Sequence, residues 1–472
     1  MKPNVFIASV LTAFAWTLTT VLSGQPASSP SLLSDTEIRR ILVDRIDVQR
    51  QSVGMVVGIV TPAGRRVVSY GTFSTSDARP VTSDSVFEIG SVTKVFTSWL
   101  LADMVRRNEV GLADPAARYL PAGMTINSAT NGRTITLVDL ATHTAGLPFW
   151  PSNVPATGNN NTALAGYTVA QLFEFISTFE VPPDIGTRWA YSNIDAGLLG
   201  ILLGRRAGST FDALLAARIT DPLKLGSTAI TVTSDMTSRL VTGHDAQLNK
   251  APRWNVPAMA GGGSLHSSAD DLLTFMAALG DTGSPIAAVL PTMLETRRQG
   301  PGFQQALGWM VISRTPDDEV LFHDGQTLGF ASSVAYDARA RTGVVVLSNA
   351  AAGVGDIARH VLRPAIPLAK PTGPPPKKTE IQVDAKLFNL YAGQYEPGAG
   401  TVFTVAREGD SLMLQLPGLP KLRLRPESET DFFVAENTRI SVTFEVNSGG
   451  QVTRMLLRAP TGTVPAARVE RR

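Results

Sequence analysis

The chain has 472 residues, too many for one ordinary hydrophobic core, so two folded domains are expected. Its 42 Lys and Arg nearly balance 40 Asp and Glu, which gives no reason to expect a nucleic-acid partner, and its 17% charged and 43% hydrophobic fractions are those of a globular protein. With no cysteine and five scattered histidines, disulfides, thiol catalysis and cysteine-ligated zinc are excluded, and no metal or other cofactor is expected.

In chain order, Lys2 precedes an uncharged, mostly apolar run from Val5 to Leu22, followed by small and polar residues from Ser23 to Ser29. This is the pattern of a secretory signal peptide over residues 1–24, and it predicts an exported protein, periplasmic or extracellular. The alternative is the same segment left uncleaved as a single membrane span, the one membrane contact expected. Gln25 stands where a lipidated cysteine would be needed, which argues against a lipid anchor.

Ser34 can cap a helix over Asp35 to Gln51, in which Ile38, Ile41, Leu42 and Ile46 recur at helical spacing. Two strands follow, Gly54 to Val60 and Arg66 to Gly71, joined by a Thr61-Pro62-Ala63-Gly64 turn. Far downstream, Ala306 to Ile312, Glu319 to His323, Ala331 to Tyr336 and Arg341 to Leu347 also read as strands. One antiparallel sheet assembled from both ends of a domain over residues 31–370, with helices on its faces, gives an α+β fold. Everything between Asp103 and Gly300 then reads as a largely helical insertion, and a cleft is expected where it meets the sheet.

The stretch from Phe87 to Leu101 carries the chemistry. Gly90 permits a turn, a helix follows, and Ser91 and Lys94 are three residues apart, so their side chains share a face. An amine one turn from a hydroxyl can activate it as a nucleophile. No other lysine in the chain has a serine three positions earlier. Of seven tyrosines only Tyr191 has an asparagine two positions on, Asn193, and it falls at a junction before a helix over Asn193 to Arg206. Another helix is expected over Val169 to Phe179. Of five histidines only His323 has a glycine two positions on, Gly325.

Ser-x-x-Lys, Tyr-x-Asn and a basic residue-x-Gly, in that order and widely spaced, resemble the penicillin-recognising serine hydrolases. The tyrosine form of the second motif is similar to class C β-lactamases, related D,D-peptidases, D-aminopeptidases and esterases. Leu140 to Pro148 and Gly261 to Ser267 resemble the same group. The resemblance implies catalysis by Ser91, Lys94 and Tyr191 through an acyl-enzyme. It also implies substrate contacts from Asn193, His323 and Gly325, and an oxyanion hole from the backbone N–H groups of Ser91 and Gln326. His143 and His266 read as structural. Many relatives carry lysine where this chain has His323, which at a reference pKa of about 6.5 is only partly protonated near neutrality. That weakens recognition of a substrate carboxylate and shifts the expectation from β-lactams toward peptides or esters.

Pro371 to Lys378 reads as a stiff linker, spanning residues 371–379. Beyond it, short strands at Thr401 to Arg407, Leu412 to Leu416, Leu422 to Arg425, Phe432 to Val434, Ser441 to Val446 and Val452 to Arg458 predict a small β-barrel or sandwich over residues 380–472. Tyr391-Ala392-Gly393-Gln394-Tyr395 resembles the start of a lipocalin-like domain, with both tyrosines expected to pack under a barrel end. The leading functional expectation is an exported serine hydrolase acting on peptide, amide or β-lactam carbonyls, with a small-molecule or peptide substrate as its partner. A carboxylesterase on the same fold and a slowly acylating sensor are the alternatives; oligomeric state is not legible.

Overall fold

A computed structural model of the protein describes residues 32–154, 164–313, 318–370, 376–398, 401–416, 421–434, 437–459 and 462–469. The segment read as a signal peptide lies outside them, as do residues 371–375 of the linker. Residues Leu32–Arg472 cluster as one compact unit. Among the described residues, no helix is long and apolar enough to cross a membrane.

The strands of the first domain are β1 (Gly54–Thr61), β2 (Gly64–Ser74), β3 (Asp77–Pro80), β4 (Val86–Glu88), β5 (His266–Ser268), β6 (Arg298–Gln299), β7 (Gln304–Gln305), β8 (Met310–Ser313), β9 (Glu319–Gln326), β10 (Ala331–Asp337) and β11 (Thr342–Ser348). Nine of them form one sheet in the order β3-β2-β1-β11-β10-β9-β8-β7-β6, while β4 and β5 pair separately. The two ends of the domain meet at the centre, where β1 pairs antiparallel with β11.

Both faces of this sheet are covered, which is why β1 and β11 read as nearly unbroken apolar runs. Met55, Val57, Ile59, Val344 and Val346 share a core with Ile38 and Leu42 of the Asp35–Val43 helix and Ile357 and Val361 of the Gly355–Leu362 helix. Val56, Val60, Val345 and Leu347 face the opposite core with Leu272, Leu273 and Met276 of the Ala269–Gly280 helix. That last helix packs on β1 and β11, so the helical insertion ends sooner than the sequence suggests. The strand expected over Ala306 to Ile312 is also broken. Gly308 turns the chain at φ +70°, and a Cβ there would lie 2.7 Å from the Lys94 carbonyl oxygen.

The Thr93–Arg106 helix is buried on every side from Thr93 to Met104. It runs between the sheet and the helical region and therefore lacks a polar stripe. The second domain is an eight-stranded closed barrel: β12 (Gly393–Gly398), β13 (Thr401–Glu408), β14 (Ser411–Gln415), β15 (Leu422–Pro426), β16 (Asp431–Val434), β17 (Asn437–Val446), β18 (Val452–Ala459) and β19 (Gly462–Val469). Pairing of β12 with β19 closes it. Tyr391 stacks on Phe444 with ring centroids 4.2 Å apart and donates to the Glu429 carbonyl, and Tyr395 donates to the Tyr391 carbonyl. Both tyrosines pack within the barrel core, as expected.

Candidate active site

β4 delivers the chain to Ile89, and a 3-10 turn over Gly90–Val92 leads into the Thr93–Arg106 helix. Ser91 thus sits just ahead of the α-helix rather than within its first turn. Gly90 has φ +48°, and a Cβ on it would lie 2.8 Å from both the N and the O of Gln326. Glycine is required there twice, for the left-handed backbone and for the close approach. Opposite it, β8 pairs with β9 only as far as Phe322, so residues 323–326 turn an edge without a β8 partner toward Ile89 and Ser91. Gly325 lets the two backbones touch, since a Cβ there would fall 2.1 Å from the Ile89 carbonyl oxygen. Ser332 donates to that same oxygen at 2.7 Å and fixes it. Ser91 and Gln326 thus border the cleft on either side of this backbone contact.

Lys94 is 2% exposed. Its Nζ donates to Ser91 Oγ at 3.0 Å, Asn193 Oδ1 at 2.8 Å and the Gly262 carbonyl at 2.5 Å. Three acceptors match the three donors of an ammonium. They offset only part of the cost of burying a charge, so burial lowers the Lys94 pKa to about 7. Asp195 opposes this shift, but its own pKa is driven well above the usual carboxylate range by complete burial. Burial outweighs the attraction of Asp195, and the downward direction holds.

Asn193 opens the Asn193–Arg206 helix, whose cap is Ser192: its Oγ accepts from the Asp195 N–H at 3.1 Å and donates to the Pro148 carbonyl at 2.7 Å. This cap sets Tyr191 immediately before the helix and holds Asn193 inward. The Lys94 Nζ lies 4.7 Å from the centre of the Tyr191 ring. Burial pushes the phenol well above its ordinary value, with the Ser91 hydroxyl pulling weakly the other way.

These residues line a cleft of about 980 Å³. Phe149, Trp150, Leu164, Trp254, Val256 and Met259 make its apolar walls. Trp150 and Trp254 face each other with ring centroids 5.7 Å apart. The segment from Gln247 to Pro257 borders the cleft through Lys250, Ala251, Pro252, Trp254 and Val256. Of the segment from Pro151 to Asn161, residues 155–161 lie outside the described residues.

The Beta-lactamase family model matches residues 38–364. The chain belongs to the beta-lactamase family. A second model, a domain of unknown function designated DUF3471, matches residues 377–470. The chain is similar to the D-alanyl-D-alanine-carboxypeptidase/endopeptidase AmpH of Escherichia coli K12, at 32% identity over 277 residues covering 58% of this chain and 69% of that protein. It is also similar to penicillin-binding protein 4* of Bacillus subtilis, at 22% identity over 428 residues covering 84% of this chain and 90% of that protein. A class C beta lactamase from Rhodobacter sphaeroides matches in structure with a TM-score of 0.58 and 28% identity, covering 70% of this chain and 97% of that one. Membership of the beta-lactamase family makes the chain a serine hydrolase of the β-lactamase and D-alanyl-D-alanine carboxypeptidase kind.

In this beta-lactamase-family chain, Ser91, Tyr191, Asn193, Gly325 and Gln326 all border the cleft, and Lys94 is buried directly behind Ser91. His323 departs from expectation. It is 1% exposed and is absent from the cleft lining, where its neighbour Asp324 appears instead. Burial and the nearby Lys94 lower its pKa to about 4, so it is neutral near pH 7 rather than partly protonated. Its Nδ1 lies 2.8 Å from the Asp324 carbonyl.

Two contacts escaped the sequence reading. The Gly262 carbonyl that receives Lys94 comes from Gly261-Gly262-Gly263, where a Cβ on Gly262 would fall 2.8 Å from the Asn193 carbonyl oxygen. The triple glycine was legible as part of the resemblance, but its backbone acceptor was not. His143 is no mere filler either: its ring lies 4.4 Å from that of Tyr191, and its Nδ1 accepts the Ser192 N–H at 3.3 Å. Its signal in the sequence was its place within Leu140 to Pro148.

Proposed function

We propose that the protein is an exported hydrolase in which Ser91 forms an acyl-enzyme with a peptide, amide or lactam carbonyl. The observation that carries this reading is the 3.0 Å contact between Lys94 Nζ and Ser91 Oγ, made by an amine whose pKa lies at about 7. Neutral Lys94 takes the Ser91 proton as Oγ attacks the carbonyl carbon. The developing oxyanion lies between the Ser91 and Gln326 N–H groups, where preorganised donors lower the barrier most. The proton then passes, with the protonated Tyr191 phenol as relay, to the departing nitrogen or oxygen, and the acyl bond to the leaving group breaks. Water later attacks the acyl-Ser91 ester, giving up its proton to the same pair and regenerating the hydroxyl. Asn193, held by Lys94 through its Oδ1, has its amide N–H₂ available for a substrate carbonyl.

A second reading, carboxylesterase, is favoured by neutral His323 together with the aromatic cleft walls, which offer no fixed cation beside Ser91. Intact-mass spectrometry of the chain and of Ser91→Ala, mixed with a penicillin and separately with a nitrophenyl ester, tests both. A transient adduct with penicillin on the unaltered chain alone supports the first reading. Ester turnover without a penicillin adduct selects the second, and a stable adduct without release indicates a sensor. An adduct on Ser91→Ala overturns the assignment of Ser91.

A further inference from the structure

One wall of the cleft is not built by the beta-lactamase-family domain. Lys421, Leu422 and Arg425, at β15 of the barrel, line the same cavity as Ser91. The barrel is held against the cleft's own rim, where Gln247 Nε2 donates to Thr438 Oγ1 of β17 at 3.1 Å. Next to Gln247 along this rim, Lys250 also lines the cavity.

The charges of the cleft are therefore unevenly placed. Near Ser91, Lys94 is committed to three internal acceptors and His323 is neutral, so neither offers a cation to a substrate. The lining cations are Lys250, Lys421 and Arg425, and the lining acids are Asp245 and Asp324. Both acids are already occupied. Asp245 Oδ1 accepts the N–H groups of Gln247 and Asn249, each at 2.9 Å, and Asp324 is paired with Arg359 at 3.0 Å. Lys421 is paired with Glu408 and Arg425 with Glu380, but neither glutamate reaches the cavity lining. Arg425 engages Glu380 through one Nη at 2.6 Å, and 40% of its side chain remains exposed. A guanidinium has donors to spare for a second anion.

We propose that the barrel wall, Lys421 and Arg425, together with Lys250 of the same cavity, is a subsite for a carboxylate carried by the substrate at a distance from the scissile carbonyl. The ligand class is a short peptide or peptide-like amide or ester with a free acidic end. This rests on Ser91 as the nucleophile, and it gives the appended domain a part in substrate selection.

The test uses the full chain and a matched pair of nitrophenyl esters, one of an N-succinyl dipeptide and one of the corresponding N-acetyl dipeptide. The unaltered chain should prefer the succinyl ester in kcat/KM by on the order of tenfold at low salt, with the preference shrinking as ionic strength rises. In the Lys421→Gln, Arg425→Gln double variant the ratio should fall toward one, chiefly through the KM of the succinyl ester. Lys250→Gln, which leaves the barrel untouched, should move it the same way, and Arg425→Lys should restore part of it. A ratio near one in the unaltered chain, or a ratio unmoved by all these variants, overturns the subsite. Turnover of neither ester by the unaltered chain overturns the subsite, and overturns the Ser91 reading as well if no penicillin adduct forms on Ser91, whereas a preference for succinyl esters that survives in the variants leaves Ser91 standing and removes the barrel from selection.

Discussion

Gly325 and Ile89 touch backbone to backbone: a Cβ on Gly325 would lie 2.1 Å from the Ile89 carbonyl oxygen and 2.4 Å from Ser332 Oγ. The contact sets β9 against the turn that carries Ser91, and Ser332 of the neighbouring strand β10 holds that turn in place through its bond to Ile89. Gly325→Ala should therefore force the Ser91 and Gln326 amides apart. Overpacking of this kind costs about 1–3 kcal/mol, and a shift near 1 Å at a reacting centre about 100-fold in rate. Denaturant midpoints together with pre-steady-state acylation of a nitrophenyl ester check this. Wild-type acylation in a stably folded Gly325→Ala would show that the contact does not set the site.

Lys94 makes the rate depend on pH in a definite direction. Its pKa of about 7 means that the neutral, proton-accepting form is lost as the pH falls through that value. kcat/KM for a neutral ester should be level above about pH 8 and decline tenfold per unit well below 7. Lys94→Arg, which keeps a charge but cannot deprotonate, should lose about 100- to 10,000-fold and show no such limb.

His323 is one competing explanation for a titration near neutrality, Glu88 being the other, and the structure separates His323 from Lys94. With a pKa near 4 it carries no charge in the range where Lys94 titrates. His323→Gln should leave the limb near pH 7 in place even where it changes the rate. Disappearance of the limb in that variant would assign the titration to His323.

How much of this was legible in the sequence depends on where each signal lived. The three motifs were readable because each combines residue types that occur together at that spacing only once. The central strands were readable because burial on both faces leaves unmistakable apolar runs at β1 and β11. β12 and β19 were not, because Gly393–Gly398 and Gly462–Val469 are short or broken by glycine and proline, and their pairing is imposed by closure of the barrel rather than by their own propensity. The fate of His323 was hidden for a related reason. Strand alternation shows that His323 and Asp324 point opposite ways, but only packing decides how deeply each is covered. The approach of β15 to the cleft is wholly tertiary, since nothing in Lys421-Leu422-Arg423-Leu424-Arg425 distinguishes it from an ordinary barrel strand.

Glu88 yields the last prediction, from a residue that no motif marks. It ends β4, is 3% exposed, and its Oε1 accepts the Trp254 N–H at 3.0 Å, so it ties the strand leading to Ser91 to an aromatic wall of the cleft. Burial raises its pKa to about 7, against the backbone hydrogen bond and the charge of Arg253. A carboxyl with a raised folded-state pKa favours the fold fully below its unfolded value and loses that contribution as the pH climbs through about 7. Glu88→Gln keeps an acceptor for Trp254 and has no proton to lose. Its stability relative to the unaltered chain should therefore be near zero below pH 4.5 and rise to roughly 3 kcal/mol at most above pH 8. Thermal unfolding at pH 4.5, 7 and 9 reads this directly: a melting-temperature gap that widens with pH is expected. A gap that stays constant would mean that Glu88 is ionised throughout, and that the Trp254 amide and its surroundings solvate the charge well enough to keep it so.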